Sequence, residues 1–296
     1  MQLLEQVLGN LIQGLVLGSV YGVATMGLSL IFGVLRVVNV GHGAFIMVGA
    51  FTALLLFDGL GLPPPLALPV ALAIGMGLGF FFYYTAMRRL LKGPELASLL
   101  ATFAMGILLE EVVKHGWGSE FRGYNWDIGR LDLGLTVLPW TKLLAVVGSV
   151  ATALLVYLWF TRTRMGTATR SVVQNSRGAT VCGINVDWIY ALSFAMGTGL
   201  TVMSGVLVTL FNPVGINPYM GGAFTLKAFV IAVLGGLSSP YGAFFGGLAF
   251  GLIENGSYTL LALAPGVEPF AMTRFLSFVM LLLVLLFRPT GLLKAR

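Results

Sequence analysis

The stretch RTRMGTATRSVVQNSRGATVCGIN, residues 162–185, holds four arginines and no acidic residue. It separates two long apolar runs, 142–160 and 188–211. The chain around it has 296 residues, of which 57% are hydrophobic and only 9% charged, whereas a soluble domain is about a quarter charged. Its 40 glycines suit helices that pack closely in lipid. A basic island between apolar runs in such a chain fixes one side of a membrane. The reading is an all-α polytopic membrane protein.

Apolar runs fall near 8–35, 42–57, 66–87, 96–113, 142–160, 188–211, 224–237, 242–264 and 270–287. Crossing the bilayer core takes about 20 residues of helix, so these runs predict about 8–9 transmembrane helices. Two are short and flanked by breakers: Asn39, Gly41 and Gly43 precede the run at 42–57, and Gly235, Gly236 and Pro240 surround the end of the run at 224–237. With 162–185 in the cytoplasm, Arg36, Arg88, Arg89, Lys92, Arg288, Lys294 and Arg296 fall on the same side, and Asp58, Glu110, Glu111, Glu120, Asp127, Asp132 and Glu268 on the other. That is the Lys/Arg bias of cytoplasmic loops. It places the N-terminus outside and the C-terminus in the cytoplasm, in one transmembrane domain over 1–296.

Several function classes drop out. The one cysteine, Cys182, excludes an intramolecular disulfide and a cysteine zinc cluster. His42 and His115 do not form H-E-x-x-H. No Gly-Lys is followed by Ser or Thr, so there is no P-loop, and any ATP that drives this chain binds elsewhere. The first basic residue is Arg36, so the leading apolar run lacks the basic n-region of a signal peptide. The net charge of +6 sits at the ends of apolar runs. It speaks for membrane orientation and against nucleic acid.

Glycines at four-residue spacing, Gly14, Gly18 and Gly22, then Gly75 and Gly79, then Gly242 with Gly246 and Gly247 with Gly251, predict close helix contacts. In the loop 114–141, Trp117, Tyr124, Trp126 and Trp140 read either as an interfacial belt or as a docking surface for an external partner.

Within 162–185, Thr167 or Thr169 offers a helix cap, and Arg170, Gln174 and Arg177 follow at i, i+4 and i+7. Val172, Val173 and Val181 supply apolar surface, and Gly183 a stop. The spacing predicts an amphipathic helix over about 169–182. It either lies on anionic lipid or docks a partner.

That segment and its continuation MGTATRSVVQNSRGATVCGINVDWIYALSFAMGTGLTVMSGVL resemble the coupling region of permease subunits of branched-chain amino acid ABC importers. So do YGVATMGLSLIFGVLRVVNVGHGAFIMVGAF at 21–51, KAFVIAVLGGLSSPYGAFFGGLAFGLIEN at 227–255, and the ending RPTGLLK. The resemblance is nearer the LivH type than the LivM type and covers nearly the whole chain. It implies a transport subunit of the bacterial or archaeal cytoplasmic (inner) membrane and not an enzyme, with no cofactor of its own. It also implies two partner ATPases holding ATP and Mg, a second LivM-like permease, and an external substrate-binding protein. Arg170, Gln174, Asn175, Arg177, Ala179 and Gly183 would then meet an ATPase. Ser171 and Gly178 depart from the family pattern, which more often has an alanine after the arginine and an acidic residue near Arg177.

RVVNVGHGAFIMVGA, residues 36–50, sets Asn39, Gly41, His42, Gly43 and Phe45 at the entry to a short helix. Irregular backbone at membrane depth is tolerated where protein or a cavity satisfies it, and half-helix N-termini attract carboxylates. This break either lines the substrate path or merely satisfies its own backbone. Glu254, an intramembrane carboxylate, reads as a partner of Lys227, a permease-interface residue or a path residue. Similar permeases carry urea or short amides, an open alternative. A secondary transporter or channel would need a coupling-ion site, and an intramembrane enzyme a paired catalytic set, which Glu254 and His42 do not supply.

Overall fold

The structure is a computed structural model and describes residues 2–132, 134, 136–262, and positions 268, 272, 273, 275, 276, 279, 282, 283 and 286. The expected run at 270–287 and the basic tail lie outside the continuously described residues. Helix α1 (Gln2–Leu35) leads through an irregular segment, 36–41, with Arg36 at φ +59°, to α2 (His42–Leu60). Gly61, at φ +63°, closes α2 in the left-handed conformation that glycine tolerates. A short 3-10 turn rich in proline then opens α3 (Ala67–Phe82), which passes through a π turn, Tyr83–Met87, into α4 (Arg88–Leu90). Pro94 and Pro139, each just before a first helical residue, introduce α5 (Glu95–Trp117) and α6 (Trp140–Arg162). The basic segment forms α7 (Arg164–Gln174) and α8 (Ser176–Val181). Then come α9 (Val186–Phe211), α10 (Gly221–Gly235) and α11 (Pro240–Ala262). Among the described residues, seven helices are long and apolar enough to cross a membrane, and α11 adds a further 23-residue helix.

In lipid, helices associate by close packing and not by hydrophobic exclusion, and the glycine spacings show where. A Cβ at Gly14 would stand 2.7 Å from Gly251 O, one at Gly18 2.7 Å from Gly247 O, and one at Gly22 2.8 Å from Phe244 O. The glycine faces of α1 and α11 therefore meet each other. Gly75 and Gly79 of α3 press likewise on Thr198, Gly199 and Ala195 of α9. In α1 and α9, 83% and 89% of the apolar window is buried, against 28% in α6. The first two form the axis of the bundle and α6 its periphery.

The contact registers also give directions. Along α1, positions 14, 18, 22 and 33 meet 251, 247, 244 and 238 in descending order, so α1 and α11 are antiparallel. The pairs 75 with 199 and 79 with 195 make α3 and α9 antiparallel too. This matches the alternation expected from the sequence. Two small antiparallel ribbons, which the all-α reading did not foresee, lie in the loops. β1 (Arg122–Gly123) pairs β4 (Val214–Ile216), and β2 (Arg130–Asp132) pairs β3 (Val137–Pro139). The first ribbon joins loops 118–139 and 212–220, which the charge pattern put on one face. On the opposite face Arg88 bridges Asp187 at 3.1 Å. Trp117 packs on Phe51 and Tyr124 on Phe57, so half of the aromatic loop set folds back onto α2, while Trp140 stays exposed.

Candidate functional site

The break before α2 meets a second break. Gly43 N donates to Thr225 Oγ1 at 2.8 Å, and a Cβ at Gly43 would overlap the Gly221 carbonyl, so the N-termini of α2 and α10 abut. Thr102 of α5 closes the entry: its hydroxyl donates to Val38 O at 3.1 Å and accepts from Val40 N at 3.2 Å. These threonines satisfy backbone groups that the broken helices free, as lipid depth demands. Asn39 and His42 are 1% and 0% exposed. His42 Nδ1 lies 3.4 Å from Thr201 Oγ1. Among the described residues, His42 Nε2 and both polar atoms of the Asn39 amide have no hydrogen-bond partner. Phe45 is fully buried and packs edge-on against Phe82; it belongs to the core.

Of these five, Gly41 lines a groove beside the break. This groove of about 240 Å³ runs between Val40, Gly41 and Ala44 of the first break, Phe103, Gly106 and Glu110 of α5, and Gly222, Thr225 and Leu226 of α10. Gly41 packs so tightly on Thr102 and Gly106 that no side chain fits there.

Glu254 is not among the residues that line this groove. Its Oε1 accepts from Lys227 Nζ at 2.6 Å, and Lys227 also donates to Tyr21 OH at 2.7 Å. The pair links α1, α10 and α11, as expected for Lys227, and faces a separate cavity. Among the described residues no group of three His, Cys, Asp or Glu side chains could hold a metal ion.

The basic segment differs from the single helix expected over 169–182. Thr163, not Thr167 or Thr169, caps α7 by accepting from Gly166 N at 3.0 Å. The helix then stops at Asn175, whose backbone turns to φ −157° and whose side chain caps α8 through Gly178 N at 2.9 Å. An Asx cap competes with helix continuation, so Arg177 leaves the face shared by Arg170 and Gln174. Arg170 instead donates to Phe160 O at the end of α6 and to Thr167 Oγ1. Ala179 is buried at 4% exposure and does not present itself to a partner. Gln174, Asn175, Arg177 and Gly183 are exposed, and Gly183 takes φ +80° just past the end of α8. Val181, 89% exposed, stands at the tip.

The family model described as "Branched-chain amino acid transport system / permease component" matches residues 10–285. The chain belongs to this family. It is 31% identical to the high-affinity branched-chain amino acid transport system permease protein BraD of Pseudomonas aeruginosa, over 97% of this chain and 95% of BraD. It is 29% identical to LivH of Escherichia coli over the same shares. A probable branched-chain amino acid transport permease protein LivM of Methanocaldococcus jannaschii matches at 27% over 49% of this chain and 44% of LivM. This permease component is a multi-pass membrane protein and a transport subunit.

Sequence reasoning found the first break of this permease but not its counterpart. Both α2 and α10 follow a long buried helix and an irregular segment holding an asparagine (Asn39, Asn217), and both carry Gly-Ala-Phe in their first turn: Gly43-Ala44-Phe45 and Gly222-Ala223-Phe224. Gly235 meets Gly242 and Gly246, so α10 is antiparallel to α11 and therefore parallel to α1. The contacts of Gly49 and Gly205 run α2 alongside α9. The α1–α2 and α9–α10 units are thus opposed in direction, the inverted repeat that builds sites from discontinuous helices in other transporters. Gly-Ala-Phe also opens α11 at Gly242-Ala243-Phe244, so the motif alone does not mark the second break, and Thr225 and Gly221 emerge only from the folded contact.

Proposed function

We propose that this chain is the LivH-like half of an ATP-driven importer for branched-chain amino acids. The full-length likeness to BraD and LivH, both named for branched-chain amino acid transport, carries the reading. Two features support it. Val40, Gly41 and Ala44 at the first break and Gly222 and Thr225 at the second border a common groove, suited to a path shared with a second, LivM-like permease. The α7–α8 pair projects from the joined ends of α6 and α9 and suits a coupling element. Two ATP-binding chains, holding ATP and Mg, and an external substrate-binding protein complete the system. The chain would sit in the cytoplasmic membrane with its N-terminus outside.

The test is co-expression with these partners and reconstitution into proteoliposomes. L-Leucine uptake should require both ATP and the loaded binding protein, with urea and acetamide left behind. Uptake of urea or acetamide alone would move the chain to the amide class, and uptake without ATP would make it a channel or secondary transporter.

Orientation has its own test. Cys182 is exposed at the end of α8, so a membrane-impermeant maleimide should label inside-out vesicles and spare intact cells. Labelling of intact cells would reverse the topology and remove the coupling role of α7–α8.

A further inference from the structure

The π turn after α3, helix α4 and the turn that follows form a basic pocket of about 350 Å³, lined by Tyr84, Arg88, Arg89 and Lys92. We propose that this pocket binds the headgroup of an anionic phospholipid, whose acyl chain lies along the exposed face of α3.

The charges set the sign of the ligand. Arg88 is held in place: its Nε donates to Asp187 Oδ1 at 3.2 Å, its Nη2 stands 3.1 Å from Oδ2, and its guanidinium lies 5.8 Å from the centre of the Tyr84 ring. The buried Tyr83 also donates to Asp187 Oδ1, at 3.0 Å. Asp187 is thereby engaged, while Arg88 keeps at least three of a guanidinium's five N–H donors. Arg89 and Lys92 are exposed, and among the described residues neither side chain has a hydrogen bond or an ion pair. The next acid along the chain, Glu95, lines a separate cavity with Arg36. With Arg88 and Asp187 cancelling, two positive charges remain in the pocket. Arginine's planar fork matches phosphate oxygens, and basic pockets at the cytoplasmic ends of spans take anionic headgroups. A zwitterionic headgroup would set its own cation against the cluster, with Asp187 already occupied.

The face of α3 makes that anion a lipid. Val70, Ile74, Gly77, Phe81, Tyr84 and Arg88 recur at spacings of four and three, which is one helix face, and all six are exposed. Gly77 has no atom within 4 Å of a Cβ and leaves a notch in the stripe. From Ile74 to Tyr84 the helix rises about 15 Å, half of a hydrocarbon core of about 30 Å. One leaflet's acyl chain covers that length with its phosphate at Arg88, whereas a soluble anion would fill the pocket and leave the stripe bare. Helix α3 lends no residue to the groove between α2, α5 and α10, where the second permease is proposed to sit, so the stripe is left to lipid.

The experiment uses the whole transporter complex, delipidated in detergent and titrated with dioleoylphosphatidylglycerol or dioleoylphosphatidylcholine. Native mass spectrometry counts the bound lipid, and thermal unfolding reads its effect. The wild type should retain phosphatidylglycerol in preference to phosphatidylcholine, and its unfolding midpoint should rise with the first lipid more than with the second. Equal retention of the two by the wild type overturns the proposal without any variant. Arg89→Gln with Lys92→Gln removes the two unpaired charges and no hydrogen bond or ion pair among the described residues. This variant should purify at wild-type yield with its partner chains, and need about tenfold or more phosphatidylglycerol for the same occupancy. Arg162→Gln with Arg164→Gln removes equal charge from the same membrane face and should leave occupancy unchanged. Equal losses in the two pairs would mean a diffuse attraction to the whole basic face and would overturn the site. So would full competition by glycerol 1-phosphate at the lipid's own concentration, the mark of a phosphate site that holds no chain. If Arg89→Gln with Lys92→Gln sheds the ATPases in detergent and keeps its phosphatidylglycerol, the cluster is a protein contact and the lipid assignment falls.

Discussion

Gly205→Val should abolish recovery of the folded chain, while Gly77→Val should leave it near wild type. Gly205 of α9 and Gly49 of α2 face one another. A Cβ at Gly205 would overlap Ile46 O and stand 2.7 Å from Ala50 N, and one at Gly49 would overlap Val202 O. All of these neighbours are backbone, so no side chain can rotate away and the two helices must part. Overpacking costs about 1–3 kcal/mol where side chains can shift, and the cost exceeds that where two helix backbones are displaced. Separation would also pull His42 from Thr201 and disturb the abutting breaks that depend on α2 (Gly43 N to Thr225 Oγ1). Gly77, by contrast, has no atom within 4 Å of a Cβ, so its replacement changes the lipid-facing surface of α3 alone. Size-exclusion profiles of the tagged chain in mild detergent, with thermal unfolding of the recovered peak, compare the two. A Gly205→Val chain that elutes and unfolds like the wild type would refute the α2–α9 seam.

How far the sequence reaches depends on whether a feature repeats along one helix or arises between two. Gly14, Gly18 and Gly22 lie on one face by spacing alone, so the packing face of α1 was legible; that its partner is the Gly247–Gly251 face of α11 required the folded contact. Lys227 with Glu254 could be matched in the sequence because two opposite charges in apolar runs have few other partners. Phe45 and Ala179 were not separable from true surface residues, because an apolar residue beside a functional break reads the same whether it turns inward or outward. The helix stop at Asn175 was hidden by a favourable i, i+4, i+7 pattern: the local Asx cap outweighed a periodicity that Arg177 fits by spacing. The β1–β4 ribbon joins segments about 90 residues apart, and strands of two or three residues leave too short an alternation to detect.

The proposed coupling face therefore shifts toward the tip of α8, and its test shifts with it. Arg170 is held against the end of α6 through Phe160 O and Thr167, and Val172 and Ala179 pack inward. Beyond Arg170, the exposed residues include Gln174, Asn175, Arg177, Val181 and Gly183, and of these Arg177 and Val181 carry charge and apolar surface. Val181 at 89% exposure is a valine in water unless something covers it, and covering it contributes about 1.5–3 kcal/mol. Arg177→Glu with Val181→Glu should remove that burial and reverse the charge at the contact, where like-charge juxtaposition costs several kcal/mol. The sum exceeds about 3 kcal/mol, more than a hundredfold in subunit affinity. Neither side chain makes a hydrogen bond or ion pair that holds α7 to α8 among the described residues, so the permease itself should insert and fold. The expected result is a permease purified at wild-type yield without its ATPases, and without binding-protein-stimulated hydrolysis. Arg170→Glu should act differently, lowering the yield of the chain by loosening the α6–α7 junction. If α7–α8 instead rests on anionic lipid, the double variant keeps its ATPases in detergent, where no bilayer surface remains, and removing anionic lipid from nanodiscs reproduces its defect. Retention of the ATPases in detergent would end the coupling assignment for this tip.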